Sequence, residues 1–282
     1  LTFNYTIGAG ETSSDLDYVA TSSLTLNSGT IKDVALNAAT LTLASPGATN
    51  SLGANKALII DTSNPPAFTL GTVVPTGGTI VSNRWNPTNT GLTVTIPIAN
   101  DVSFTGGSIQ IRADVANGGY ENLGAAYTIL LGDLNANKTL TFTALEFEAL
   151  SGGLTDLENV LFKAILTYKS GNTTTATQST SSITFDETVP TITAIATSDF
   201  SWGESLNSTE DDTDATVTVT TTGVEDGQTV TITLNGTVYT AVTSSNSATV
   251  TITAAGLQGL TDDQTYSLTA DVKDVATNEA VT

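Results

Sequence analysis

The feature that most constrains the fold of this chain is that it repeats itself. Lys32-Asp33-Val34-Ala35-Leu36-Asn37 returns as Lys273-Asp274-Val275-Ala276-Thr277-Asn278 with five of six positions identical, and Lys169-Ser170-Gly171-Asn172 is a shorter version of the same stretch. Ile60-Asp61-Thr62-Ser63-Asn64-Pro65 and Phe185-Asp186-Glu187-Thr188-Val189-Pro190 place a hydrophobic residue, an aspartate and then a proline at the same spacing, 125 residues apart. Thr143-Ala144-Leu145 through Leu150 corresponds to Thr253-Ala254-Ala255 through Leu260. Such self-similarity means that one supersecondary plan is used more than once. If the aspartate-to-proline segments are linkers that open each unit, the units are 1-60, 61-185 and 186-282. The first is then the closing part of a domain, the second a complete domain, and the third lacks most of its last strand. Half-built units would leave strand edges and an apolar face bare, so the chain reads as a window on a longer tandem array.

The plan is a strand plan. Apolar residues alternate with polar ones over Leu1 to Ile7, Leu92 to Ile98, Ser108 to Val115, Thr216 to Thr222, Thr229 to Leu234 and Ala248 to Thr253, the period of half-buried antiparallel strands. Threonine makes up about one residue in five, in keeping with pleated strands joined by tight turns. Asn235-Gly236 between two such runs predicts a type I′ hairpin. Thr143 to Leu150 and its counterpart at Thr253 predict a short helical crossover. Trp85 and Trp202 both fall in the loop after their unit's first strand, where a ring most often plugs the end of a core. The fold class expected is all-β, with antiparallel sandwiches in tandem.

Several function classes are excluded. The net charge of -20 repels nucleic acid and anionic lipid. No apolar run is long enough to insert in a membrane as a helix. Histidine, cysteine and methionine are absent, which removes imidazole bases, thiolate nucleophiles and nitrogen or sulfur zinc ligands. Carboxylate pairs such as Glu146 with Glu148, or Asp262 with Asp263, read as turn and helix-end residues, so no enzyme activity is expected.

Gly223-Val224-Glu225-Asp226-Gly227-Gln228-Thr229-Val230-Thr231, followed by Asn235-Gly236 and closing on Asp274-Val275-Ala276-Thr277-Asn278, resembles the bacterial immunoglobulin-like repeats of very large secreted surface proteins, chiefly adhesins and biofilm proteins. Residues 50 to 60 are similar to the end of another repeat type in the same proteins. The resemblance implies two-sheet sandwiches arranged end to end, a spacing role outside the cell or at its surface, and frequently calcium at the junctions. A glycine common in the closing loop of that family is Leu36 or Thr277 here, and the middle loop has no aspartate at Lys169-Ser170.

Calcium, which takes six to eight oxygen ligands, is the ion this composition suits. Positions 186 to 282 carry 15 acidic residues against one basic residue, Lys273. In an immunoglobulin-like topology the incoming linker, the loop after the second strand and the loop before the last strand meet at one end. These would bring together Asp186, Glu225 or Asp226, and Asp274 with Asn278; the metal ligands expected are Asp186, Asp226, Asp274 and Asn278. The run Glu210-Asp211-Asp212-Thr213-Asp214 lacks calcium-loop spacing and reads as a solubilising surface. The function expected is a structural extender whose partners are neighbouring repeats of the same chain. Two alternatives are a self-assembling filament or surface layer, in which copies of the chain complete each other's sandwiches, and an accessory module of a secreted polysaccharide-degrading enzyme.

Overall fold

A computed structural model describes residues 4–150, 154–179, 181–197 and 200–281. Where threonine alternates with branched apolar residues, strands form and their two faces meet different surroundings. The strand Gly91–Ile98 buries Leu92, Val94, Ile96 and Ile98 and turns its threonines outward. Before Asp61 the regular structure is slight: β1 (Thr12–Ser13), a short helix α1 (Leu52–Asn55) capped by Ser51, and β2 (Ile60–Asp61), which pairs antiparallel with β1.

The central sandwich follows. Its strands are β3 (Val73–Thr76), β4 (Arg84–Trp85), β5 (Gly91–Ile98), β6 (Ser108–Val115), β7 (Tyr120–Thr128), β8 (Ala136–Thr143), β9 (Asn159–Thr167), β10 (Thr173–Thr175) and β11 (Ile183–Phe185). One sheet has the order β3-β5-β8 and the other β4-β11-β9-β6-β7, with β10 also on β9. A single core lies between them, centred on Trp85, Phe104, Phe147 and Phe162. Trp85 is fully buried against Phe147, their rings 4.8 Å apart, and so plugs one end of the core as expected.

The C-terminal sandwich comprises β12 (Thr191–Ala196), β13 (Ala215–Thr222), β14 (Thr229–Leu234), β15 (Thr237–Val242), β16 (Ser247–Ile252) and β17 (Leu268–Asp271), in sheets β12-β13-β16 and β15-β14-β17. It has its own core, from Ile192 to Val272. Asn235 and Gly236 both have positive φ, 50° and 75°, as a type I′ turn between β14 and β15 requires. The crossover helices α2 (Ala144–Glu148) and α3 (Ala254–Gln258) are opened by Thr143 and Thr253, and each buries its fourth residue, Phe147 or Leu257. In α2 the cap is reciprocal: the Thr143 hydroxyl accepts from the Glu146 amide while the Glu146 carboxylate accepts from the Thr143 amide.

Two expectations need correction. Residues 4 to 7 form no strand, and residues 1 to 3 of that run lie outside the described residues. Alternation alone does not make a strand without a hydrogen-bonding partner and an apolar surface to cover one face. Before Asp61 that surface is missing: Val19 is 94% and Ile59 73% exposed, and Ile60 is the one buried apolar side chain among the described residues there. The acidic run at 210 to 214 is more than a solvated face. Asp214 accepts from the Ala254 amide and Asp212 from the Gln258 side chain, so the run holds α3 at both ends.

Candidate metal centre

The repeated loop folds the same way in its two full copies. The Asp33 carboxylate accepts from the Asn37 amide and side chain at 2.8 and 2.9 Å, and Asp274 accepts from Asn278 at 2.8 and 2.9 Å. Backbone bonds agree as well: Asp33 and Asn37 are joined amide to carbonyl at 3.0 Å, Asp274 and Asn278 at 3.1 Å. Both loops close through a residue with positive φ, Leu36 at 66° and Thr277 at 71°. The shortened copy keeps the Tyr168 amide to Asn172 carbonyl bond and turns on Gly171.

The linker meets the closing loop. After β11 the chain stays beside β4, and the Asp186 amide donates to the Trp85 carbonyl at 3.0 Å. The next two amides, of Glu187 and Thr188, both donate to Asp156 of the central sandwich at 3.2 Å. The Trp85 indole donates to Glu187 at 3.0 Å, and buried Asn86 donates across to the Ala276 carbonyl in the closing loop at 3.0 Å. The linker is therefore gripped by the unit before it and the unit after it.

At the meeting point, four oxygens face one amide group. The Asn278 Nδ2 lies 2.9 Å from Asp274 Oδ2, 3.1 Å from the Asp186 carbonyl, 3.4 Å from Asp186 Oδ1 and 3.5 Å from the Thr188 carbonyl. An amide NH2 has two hydrogens and can satisfy two acceptors well. The surplus acceptors make this point attractive to a cation. Asp186 and Asp274 are each only 3% exposed. Burial, then the carboxylates of Asp274, Asp156 and Glu225, push Asp186 up to about 7 against the opposing pull of Arg84. Burial also raises Asp274, with the Asn278 hydrogen bonds working against it.

Of the residues expected from the sequence, Asp186, Asp274 and Asn278 come together. Asp226 does not join them: its carboxylate accepts from the Ser245 amide at 2.7 Å, at the far side of its loop. Its neighbour Glu225 faces the closing loop instead, accepting from the Val275 amide at 3.0 Å. Among the described residues no three acidic side chains stand at ligating distance of one point; the converging oxygens are two carboxylates and two backbone carbonyls. All are hard donors of the type calcium takes, so the donor chemistry fits that ion. Arg84, Asn86 and Asp156 were not visible as site residues in the sequence, because only the parallel pairing of β4 with β11 and the linker's path bring them here.

No protein-family model matches the sequence, and no curated protein matches it. Among solved structures the chain is similar to one that gives structural insight into host cell surface retention of a 1.5-MDa bacterial ice-binding adhesin, with 18% identity over 80% of this chain and 65% of that one and a TM-score of 0.38. It is also similar to a Ca2+-stabilized adhesin that helps an Antarctic bacterium reach out and bind ice (21% identity, 76% and 46% of the two chains, TM-score 0.38). A third is a tetra-tandem repeat in the extending region of a large adhesion protein (19% identity, 67% and 42% of the two chains, TM-score 0.27). This chain spans less than two thirds of the length of each of these structures.

Proposed function

We propose that the chain is a structural extender segment of a large bacterial adhesin-like protein, outside the cell or at its surface, without enzyme activity, and that calcium at the junction between the second and third units makes that junction rigid. The observation that carries the reading is the set of four oxygens around Asn278, where the closing loop meets a linker held from both sides. Asp186, Asp274 and the Thr188 carbonyl would supply ligands, with Asn278 contributing its own oxygen if its side-chain amide turns over. An ion there would tie linker to loop and remove a hinge, which is the property a spacer needs. The partners in this reading are the neighbouring units of the same chain.

The test is thermal melting of the metal-free chain with and without added calcium, beside Asp274→Ala. Calcium at about 100 times its dissociation constant stabilises a folded protein by about 2.7 kcal/mol. The C-terminal sandwich should melt several degrees higher with calcium, and Asp274→Ala should abolish that rise. A melting temperature indifferent to calcium would leave the junction held by its packing and hydrogen bonds.

A further inference from the structure

We propose that Arg84 of the central sandwich is the resident counter-cation of the next unit's linker, and that its charge sets how much calcium the junction needs. The inference rests on the calcium reading above and goes beyond it by naming what regulates the site.

Arg84 is placed by backbone pairing. It lies opposite Thr184 in the parallel β4–β11 register, with the Thr184 amide bonded to the Asn83 carbonyl at 2.9 Å and the Asp186 amide to the Trp85 carbonyl at 3.0 Å. Its Nη1 stands 3.6 Å from Asp186 Oδ2. The other oxygen of the same carboxylate, Oδ1, faces the Asn278 cage. Asp186 thus has one oxygen toward a built-in cation and one toward the candidate ion position, so guanidinium and calcium can approach the same carboxylate from opposite sides and repel one another through it.

The charge distribution makes this cation important. The third unit's own basic residue, Lys273, pairs with Glu279 at 3.8 Å in the open, both side chains more than half exposed. Neutralisation of the buried linker carboxylate therefore comes from the preceding unit. Asp186 is 4% exposed at its side chain, whereas Arg84 is 26% exposed, so the arginine head can swing into solvent when an ion arrives without stranding a buried charge. Removing this positive charge should weaken the metal-free junction and strengthen calcium binding. A residue that only packed or only held the fold would weaken both or leave binding unchanged.

The experiment is calorimetric titration of calcium chloride into the chelator-stripped full chain, for the parent, Arg84→Gln, Arg84→Lys and Asp274→Asn, with a melt of each in chelator. Expected are binding in the parent that Asp274→Asn removes, about ten-fold tighter binding in Arg84→Gln, near-parent binding in Arg84→Lys, and a lower chelator melting temperature for Arg84→Gln. Binding that Asp274→Asn removes but Arg84→Gln leaves unchanged or weakens would overturn the role of Arg84 and leave the calcium reading standing. No binding in the parent, or binding that Asp274→Asn does not affect, would overturn the calcium reading and this inference with it.

Discussion

Thr277 shows how much a single residue can hold against its own preference. The closing loop needs a left-handed residue just before Asn278 so that the asparagine can turn back onto Asp274, and Thr277 supplies it with φ of 71°. For a branched side chain that conformation costs about 1 to 2 kcal/mol, while glycine adopts it freely and gives back about 0.5 to 1 kcal/mol in chain entropy on folding. Thr277→Gly should therefore stabilise the C-terminal sandwich by about 0.5 to 1 kcal/mol, read as a higher denaturant midpoint with an unchanged slope. A destabilised Thr277→Gly would mean that the threonine side chain contributes more to the loop than its backbone costs. The same change at Leu36, which holds φ of 66° in the equivalent loop, tests whether the gain belongs to the loop or to its surroundings.

At the scale of elements, close packing around the two crossover helices leaves room for glycine at different places. In the C-terminal sandwich β15 carries the large residue and α3 the small one: a Cβ on Gly256 would lie 1.8 Å from the Tyr239 hydroxyl. In the central sandwich the small residue sits on the strand, where a Cβ on Gly124 of β7 would come 2.9 Å from the Phe142 ring of β8 and 3.1 Å from the Glu146 carboxylate of α2. Alanine is a better helix former than glycine by about 1 kcal/mol, yet Gly256→Ala should destabilise by about 1 to 3 kcal/mol because the added carbon overlaps the tyrosine. Tyr239→Phe should recover part of that loss, since it removes the clashing oxygen, which is buried with no hydrogen-bond partner in the structure, but leaves the ring carbon that carried it 2.9 Å from the new Cβ. Equal losses in the single and double variants, measured by chemical denaturation, would show that the two residues are not coupled. Much at this scale could be read from sequence: Thr143 and Thr253 announce the helices, and Asn235-Gly236 announces the hairpin. The alternation through residues 4 to 7 misled, because alternation records a strand's faces and is silent about its neighbours. The site was legible only within the repeated segments. Glu225 and Asp226 are indistinguishable by composition and differ only in which way the loop turns them, and Arg84 reaches Asp186 through a strand register that no local pattern encodes.

Across the whole molecule the two linkers share a clamp and differ in charge. At the first, the Asn172 side chain donates to the Asp61 carbonyl at 2.7 Å, as Asn278 does to the Asp186 carbonyl at 3.1 Å. There the likeness stops. The loop position filled by Asp274 is Tyr168 in the shortened copy, and Asp61 spends its carboxylate on Ser63. Asp101, in the loop between β5 and β6, is bonded to the Tyr168 hydroxyl, and that bond, with others nearby, keeps its carboxyl below the usual range despite burial. Local hydrogen bonds thus satisfy the carboxylates of the first linker, whereas those of the second crowd one another. Calcium should consequently act on one junction and pass over the other. Hydrogen exchange of the full chain, with calcium and with chelator, should show amide protection rising on calcium at 186 to 190 and 274 to 278, with 61 to 66 and 168 to 172 unchanged. Opening free energies at the second junction should rise by up to about 2.7 kcal/mol near 100-fold excess over the dissociation constant. An equal response at both linkers would mean that a loop aspartate is not what selects the ion. A response at the second alone would make this segment a spacer with one calcium-set joint and one fixed by hydrogen bonds, its stiffness differing along its length according to which copies of the loop kept their aspartate.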